Sequence, residues 1–256
     1  MSGPRALLFD AGNTRLKWGY HDGNAITKSG SITHEKLADG GYAALTTRLP
    51  TAVDTTLVAN VAGHSFATRL AGVIGLHCAS DVHFAHTSRE AHGVTNSYRQ
   101  PRRLGVDRWV AMIGAYQRYR KAVCVVDAGT AVTIDAVDSN GQHLGGQILP
   151  GVSLMMSALH EDTSDLPSVK RTPKAAAEAL PGFAASTAGA IGNGALAAVC
   201  GAVERAMSGL KRASYRPVLV LTGGDASRIL AVLDAKAEHR PNLVLEGLAI
   251  MAQDLT

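Results

Sequence analysis

The sequence predicts an α/β protein built from two similar halves, and three observations predict it. An apolar run ending in Asp-Ala-Gly occurs twice, at residues 6–12 and 123–129, with the two aspartates 117 residues apart in a chain of 256. Each copy is followed by alternating polar and apolar residues and then by a turn signal, the pattern of strand, turn and strand. Helical periodicity fills the intervals after each copy, giving the mixed element order of a duplicated α/β fold. The predicted halves are residues 1–118 and 119–256, with a short linker near residues 118–122.

Taken in order, residues 6–9 (Ala-Leu-Leu-Phe) form a continuous apolar run, which reads as a buried strand, and Asp10-Ala11-Gly12-Asn13-Thr14 reads as its tight turn. Residues 15–20 alternate and predict a second strand, His21-Asp22-Gly23-Asn24 a hairpin turn, and residues 25–32 a third strand. Helices are predicted at residues 34–49, at 65–74 and, with the best period, from Val106 through Trp109, Val110, Ile113, Tyr116 and Gln117 to about Arg120. The second half repeats the opening, with strands at 123–127 and 131–137 and a turn at Asp138-Ser139-Asn140-Gly141. Ser186 or Thr187 is placed to cap an Ala-rich helix reaching about Leu210, in which Gly189, Gly192, Gly194 and Gly201 are expected to permit close helix packing. A strand at 217–221 ends in Thr222-Gly223-Gly224-Asp225, and two short helices close the chain.

Composition narrows the class. With 46% hydrophobic and 18% charged residues the chain has ample surface to bury, which excludes intrinsic disorder. The net charge of +4 is spread thinly except at Arg99, Arg102, Arg103 and Arg108, too sparse for a nucleic-acid-binding stripe and better matched to an anionic small ligand. Cys78, Cys124 and Cys200 are scattered and odd in number, which argues against a disulfide framework and fits a reducing cytoplasm. The N-terminal apolar run is too short for a signal peptide and no run is long enough to span a membrane. His77, Cys78, His83, His86 and His92 match no zinc spacing and read as ordinary histidines and a cysteine.

Three strand-end turns carry a polar group on a glycine-assisted bend: residues 10–17, 127–133 and 222–225. Such turns bring backbone N–H groups close to phosphate oxygens, and an aspartate at the strand end holds a metal or its water. No Gly-Lys dipeptide exists, so there is no Walker A loop, and Gly192-Asn193-Gly194 lies inside a predicted helix rather than after a strand. In the segment from Tyr98 to Trp109, Pro101 and Gly105 delay helix entry and place Asp107 and Arg108 in the first helical turn. An aspartate there is favoured by the helix dipole alone, yet beside an arginine it also supplies a proton acceptor and an anion clamp.

Five motifs in this order resemble the type III pantothenate kinases, of the superfamily that contains acetate and sugar kinases, chaperone ATPases and actin. They are Asp10-x-Gly12-Asn13-Thr14-x-x-Lys17, Tyr98-x-x-Pro101-x-x-Leu104-Gly105-x-Asp107-Arg108-Trp109, Asp127-x-Gly129-Thr130-Ala131-x-Thr133-x-Asp135, Gly145-Gly146-x-Ile148-x-Pro150-Gly151 and Thr187-x-x-Ala190-Ile191-x-x-Gly194. The resemblance implies two ribonuclease H-like domains with mixed sheets and a cleft between them. It implies phosphoryl transfer from ATP to the terminal hydroxyl of pantothenate, the first step of coenzyme A synthesis. Asp10, Ala11, Gly12, Asn13, Thr14, Arg15, Leu16 and Lys17 would then form the first phosphate loop, used with Mg²⁺, and Thr130 would contact ATP. Asp127 would help bind a monovalent cation, potassium or ammonium. Tyr98, Gly105, Val106, Asp107, Arg108 and Thr187 would line the pantothenate site, with Asp107 as general base. Ser186 stands where the family pattern has Asn. A homodimer in the cytoplasm, without nucleic acid or membrane, completes what the resemblance implies, and a kinase for another hydroxylated metabolite or a transcriptional accessory factor are the alternatives.

Overall fold

In the computed structural model, residues 3–161 and 182–255 are described. Two five-stranded sheets share one strand order. The first is built from β1 (Arg5–Ala11), β2 (Arg15–Asp22), β3 (Ile26–Thr33), β4 (Thr55–Asn60) and β5 (Val82–Phe84), ordered β3-β2-β1-β4-β5. A small ribbon of β6 (Glu90–Ala91) and β7 (Val94–Thr95) follows. The second sheet comprises β8 (Val123–Ala128), β9 (Ala131–Val137), β10 (His143–Pro150), β11 (Val218–Thr222) and β12 (Glu238–His239), ordered β10-β9-β8-β11-β12. In each, the central strand pairs antiparallel with the strand after it and parallel with the next one in the order.

The internal repeat therefore survives at the level of single residues. Leu7, Phe9 and Ala11 point into the first core, and Cys124, Val126 and Ala128, each 117 positions later, point into the second. Asp10 and Asp127 are each the penultimate residue of their central strand.

The helices are α1 (His34–Lys36), α2 (Tyr42–Thr46), α3 (His64–Cys78), α4 (Val106–Tyr119), α5 (Val152–Glu161), α6 (Thr187–Arg212), α7 (Ala226–Leu230) and α8 (Leu243–Met251). The single helix expected over residues 34–49 is broken, because Asp39 and Gly40 leave helical geometry, Gly40 at a φ of +73°, and the kink at Leu37–Gly41 separates α1 from α2. Residues 65–74 lie within α3, which continues to Cys78 and ends on Ala79 in the left-handed region. In α6, Ile191, Ala195, Val199, Val203 and Met207 recur every fourth position and turn one face into the core. Gly194 and Gly201 lie off that face with open space where a Cβ would stand, so they do not serve the close packing expected of them.

The chain folds into two compact units. One comprises residues up to Arg120 together with Asn140–His143 and Asn242–Thr256, and the other comprises Lys121–Ser139 and Leu144–Pro241. The first division lies two residues from the expected boundary after 118. A single cut does not describe the chain, however, because α8 packs on α4 and on β1 and so rejoins the first unit. At that crossing Gly114 and Gly247 face one another, and a Cβ on Gly247 would stand 2.1 Å from the Val110 carbonyl oxygen. Val110 and Ile113 are fully buried as core residues of α4. Among the described residues, no helix is long and apolar enough to cross a membrane.

All three cysteines are free and buried. Burial, and next the charge of Asp135, push the Cys124 thiol from its ordinary 9.0 up to about 12, and burial also raises Cys78 and Cys200. Folding thus favours the neutral Cys124 thiol. The stability this contributes is complete below about pH 9 and is lost as pH climbs toward 12. Because the thiolate is the nucleophile, native protein at pH 8 is expected to resist alkylation at Cys124, with labelling only after denaturation. Stoichiometric labelling of native Cys124, read by mass spectrometry, would contradict this burial.

Candidate active site

In the first unit, the turn after β1 closes with Gly12 N–H donating to the Arg15 carbonyl at 3.1 Å. His34 N–H donates to the Thr14 carbonyl at 3.0 Å and Val61 N–H to the Ala11 carbonyl at 2.9 Å, so the turn is held from both sides. Asn13, Thr14 and Arg15 are exposed at its tip. Asp10 and Lys17 are register partners across β1 and β2, which puts a carboxylate and an ammonium on one face of the sheet. Ala11 and Leu16 are fully buried in the core beneath, so any contact from them to a nucleotide would come from backbone atoms alone.

The Tyr98 to Trp109 segment is built around two residues that no sequence pattern singled out. Asn96, 1% exposed, donates from Nδ2 to the carbonyls of Ser88 and Pro101 and accepts the Tyr98 N–H at 2.9 Å. Arg89 spreads its guanidinium over three carbonyls, those of Asn96, Tyr98 and Arg99, at 2.9 to 3.1 Å. A lone arginine and a lone asparagine in polar loops carry no periodic or spacing signal, which is why only the folded chain reveals them.

A short 3-10 turn at Pro101–Arg103 then delivers the chain to Gly105, the N-cap position of α4. Asp107 sits in the first turn of α4, as expected, and its Oδ1 accepts the Arg108 N–H at 2.8 Å. A Cβ on Gly105 would stand 2.6 Å from that same Oδ1, so glycine leaves the carboxylate its place. Arg108 is 7% exposed; its Nη1 donates to the Tyr98 hydroxyl at 3.2 Å and its guanidinium carbon lies 5.9 Å from the centre of the Tyr98 ring. Arg99, Arg102 and Arg103 are exposed, so of the four clustered arginines only Arg108 is built into the protein. Tyr98 thus meets Arg108, at the helix start that carries Gly105, Val106 and Asp107.

In the second unit, the turn after β8 closes with Gly129 N–H donating to the Ala131 carbonyl at 3.0 Å, one residue tighter than the first turn, where Gly12 reaches Arg15. Two glycines crowd onto it. Gly151 N–H donates to the Thr130 carbonyl at 2.9 Å. A Cβ on Gly151 would stand 2.3 Å from the Gly129 oxygen. Gly223, at a φ of +94°, lies against the Ala128 backbone, and Asp225 N–H donates to the Ala128 carbonyl at 2.9 Å. The Asp127–Thr130 and Thr222–Asp225 turns therefore form one surface. Asp127 is in register with Thr133 on β9 and Thr222 on β11, and the buried Thr222 Oγ1 has no hydrogen-bond partner. Thr130 is exposed. Thr187 is exposed at the start of α6, immediately after Ser186, whose side chain accepts the Gly189 N–H at 3.2 Å. Ser186 is thus the N-cap of α6, a place where Ser and Asn serve about equally well.

Among the described residues no three His, Cys, Asp or Glu side chains cluster as a metal centre, and His77 instead lies 3.3 Å from the Leu49 carbonyl. The single carboxylate of Asp10 near the end of β1 is a donor suited to Mg²⁺, which keeps its waters and binds through one or two carboxylates plus substrate phosphates.

The sequence model of type III pantothenate kinases matches residues 6–209. A type III pantothenate kinase of Aromatoleum aromaticum is 39% identical over 250 residues, covering 97% of this chain and 98% of that one. Among solved structures, a Baf family transcriptional activator from Campylobacter jejuni has a TM-score of 0.60 at 20% identity, covering 97% of this chain and 98% of its own. MreB 5 of Spiroplasma citri, bound to AMPPNP, has a TM-score of 0.52 at 11% identity, covering 100% and 97%. At these identities the structural likeness is one of fold, that of the actin-like ATPases and sugar kinases, with two ribonuclease H-like halves.

Proposed function

Because the chain belongs to the type III pantothenate kinase family and so transfers the γ-phosphoryl of ATP to pantothenate, we propose how its residues divide that work. Phosphoryl transfer asks for positioning and charge neutralisation more than for covalent chemistry. In the first unit, Asp10, the backbone of Ala11, Gly12, Asn13, Thr14, Arg15 and Leu16, and the Lys17 ammonium form the first phosphate loop. In the second, Thr130 contacts ATP. Asp10 would hold Mg²⁺ through its waters, and Asp127, with the hydroxyls of Thr133 and Thr222 on its face, would hold potassium or ammonium; both ions neutralise phosphate charge when bound.

Pantothenate is an anion with a primary hydroxyl at its far end. Arg108 and Tyr98 clamp the anion, Gly105 and Val106 line the pocket, Thr187 adds a hydroxyl, and Asp107 accepts the proton of the attacking hydroxyl. The observation that carries this reading is the pairing, in one helical turn, of a carboxylate with a buried guanidinium tied to Tyr98. A homodimer is part of the same proposal. It is supported by the exposed Ile148, Leu154 and Leu159, the last two lining an apolar cavity of about 530 Å³ between α5 and α6. The same proposal puts the enzyme in the cytoplasm, with no role for nucleic acid.

The test is ADP release from ATP with and without pantothenate, each with and without potassium. Pantothenate-dependent release stimulated by potassium is expected, with the stimulation lost in Asp127→Ala. Unchanged potassium activation in that variant removes Asp127 from cation binding, and release indifferent to pantothenate overturns the substrate.

A further inference from the structure

His143 opens β10 and is 1% exposed, yet it takes no part in the sheet-end turns described above. It belongs to the four residues Asn140–His143 that join the first unit. That segment is fastened there by backbone. Gly141, at a φ of +84°, passes so close to the Gly93 carbonyl that a Cβ would stand 1.8 Å from its oxygen, and the Gly141 carbonyl accepts the Thr95 N–H at 2.9 Å. Gln142 Nε2 donates to the Thr95 carbonyl at 3.3 Å. The imidazole that follows is set down beside the substrate segment. Its Nδ1 lies 3.1 Å from the Ser97 hydroxyl, and its ring stacks on Tyr98 with centroids 6.0 Å apart and planes inclined by 16°. Tyr98 in turn meets Arg108 through both its hydroxyl and its ring.

We propose that His143 is a positioning residue of the pantothenate site, holding the Tyr98 ring so that its hydroxyl and the Arg108 guanidinium are preset for the anion. The inference rests on the reading of Tyr98 and Arg108 as pantothenate ligands. The physical argument is one of rotamer freedom. Tyr98 is half-buried and its ring would otherwise swing about χ1, whereas a ring stacked on one side, itself held by Ser97, removes that freedom before substrate arrives.

Steady-state kinetics of the full chain test it, with pantothenate and ATP varied in turn. His143→Ala is expected to raise KM for pantothenate about tenfold while KM for ATP stays within about twofold, and His143→Phe, which keeps a stacking ring, to restore most of the loss. Adding His143→Ala to Tyr98→Ala should raise KM no further, because the histidine acts through the tyrosine. If Tyr98→Ala raises KM for pantothenate and folded His143→Ala does not, the positioning role falls. Equal rises in both KM values for His143→Ala also overturn it, as the mark of general structural damage. If Tyr98→Ala leaves KM unchanged, the underlying site reading falls instead. Should His143→Ala fail to fold, Ser97→Ala, at an exposed serine, removes the partner of Nδ1 and is expected to raise the same KM about threefold; an unchanged value rejects the role.

Discussion

Replacing Asp107 with asparagine is expected to lower kcat by about 10²–10⁴-fold while leaving the fold and ATP binding in place. Two roles for this carboxylate compete, and magnitudes separate them. As an acidic residue in the first turn of α4 it interacts with the helix dipole, an effect of about 0.3–1 kcal/mol on stability. As general base it would lower the barrier by roughly 3–5 kcal/mol, at 1.36 kcal/mol per tenfold. Asparagine keeps the size and the Oδ1 that accepts the Arg108 N–H, so the helix start is preserved and the charge alone is removed. A variant that melts slightly earlier and turns over normally would leave Asp107 as a dipole partner only. A variant with wild-type KM for ATP and a collapsed kcat identifies the base.

Gly247→Ala is expected to cost about 2 kcal/mol of stability and to lower Tm by ~4–8 °C, measured by calorimetry. On an isolated helix the change would stabilise by about 1 kcal/mol, since alanine is the better helix former. Here the added methyl would stand 2.1 Å from the Val110 carbonyl oxygen and 2.8 Å from its Cγ1. The oxygen belongs to helix backbone and cannot step aside, so α8 must lift from α4, an overpacking cost of about 3 kcal/mol that outweighs the propensity gain. A rise in Tm would show that propensity wins and that the two helices part without loss.

Much of this architecture was legible in the residues because strand and turn chemistry is local. The Asp-Ala-Gly repeat located both central strands, and β9 begins and ends where the alternation of polar and apolar residues does. Ser186 was readable as a cap because a cap is decided within four residues. The break at Asp39–Gly40 is hidden in the sequence because apolar residues on either side of it keep helical spacing. What the sequence withheld was long-range. Nothing local tells that α8 returns to α4, that Gly141 docks on Gly93, or that Arg89 and Asn96 knit the backbone around Tyr98. Of the expected site residues, Asp107 and Arg108 came from helix-entry rules, whereas Thr130 and Thr187 rest on family motifs. The open space around Gly194 and Gly201 was invisible for the same reason, because a glycine in a helix announces low propensity but not which neighbour, if any, it admits.

The return of residues 242–256 to the first unit also fixes an order of events during synthesis. The segment that covers α4 leaves the ribosome well after the strands of the first sheet, with the second unit made in between. A nascent chain therefore carries the bare α4 crossing, and the helix that bears Asp107 and Arg108, until α8 has been made. A chain that stops before residue 242 would keep every strand of both sheets yet leave its first core unclosed, a natural target for proteolysis.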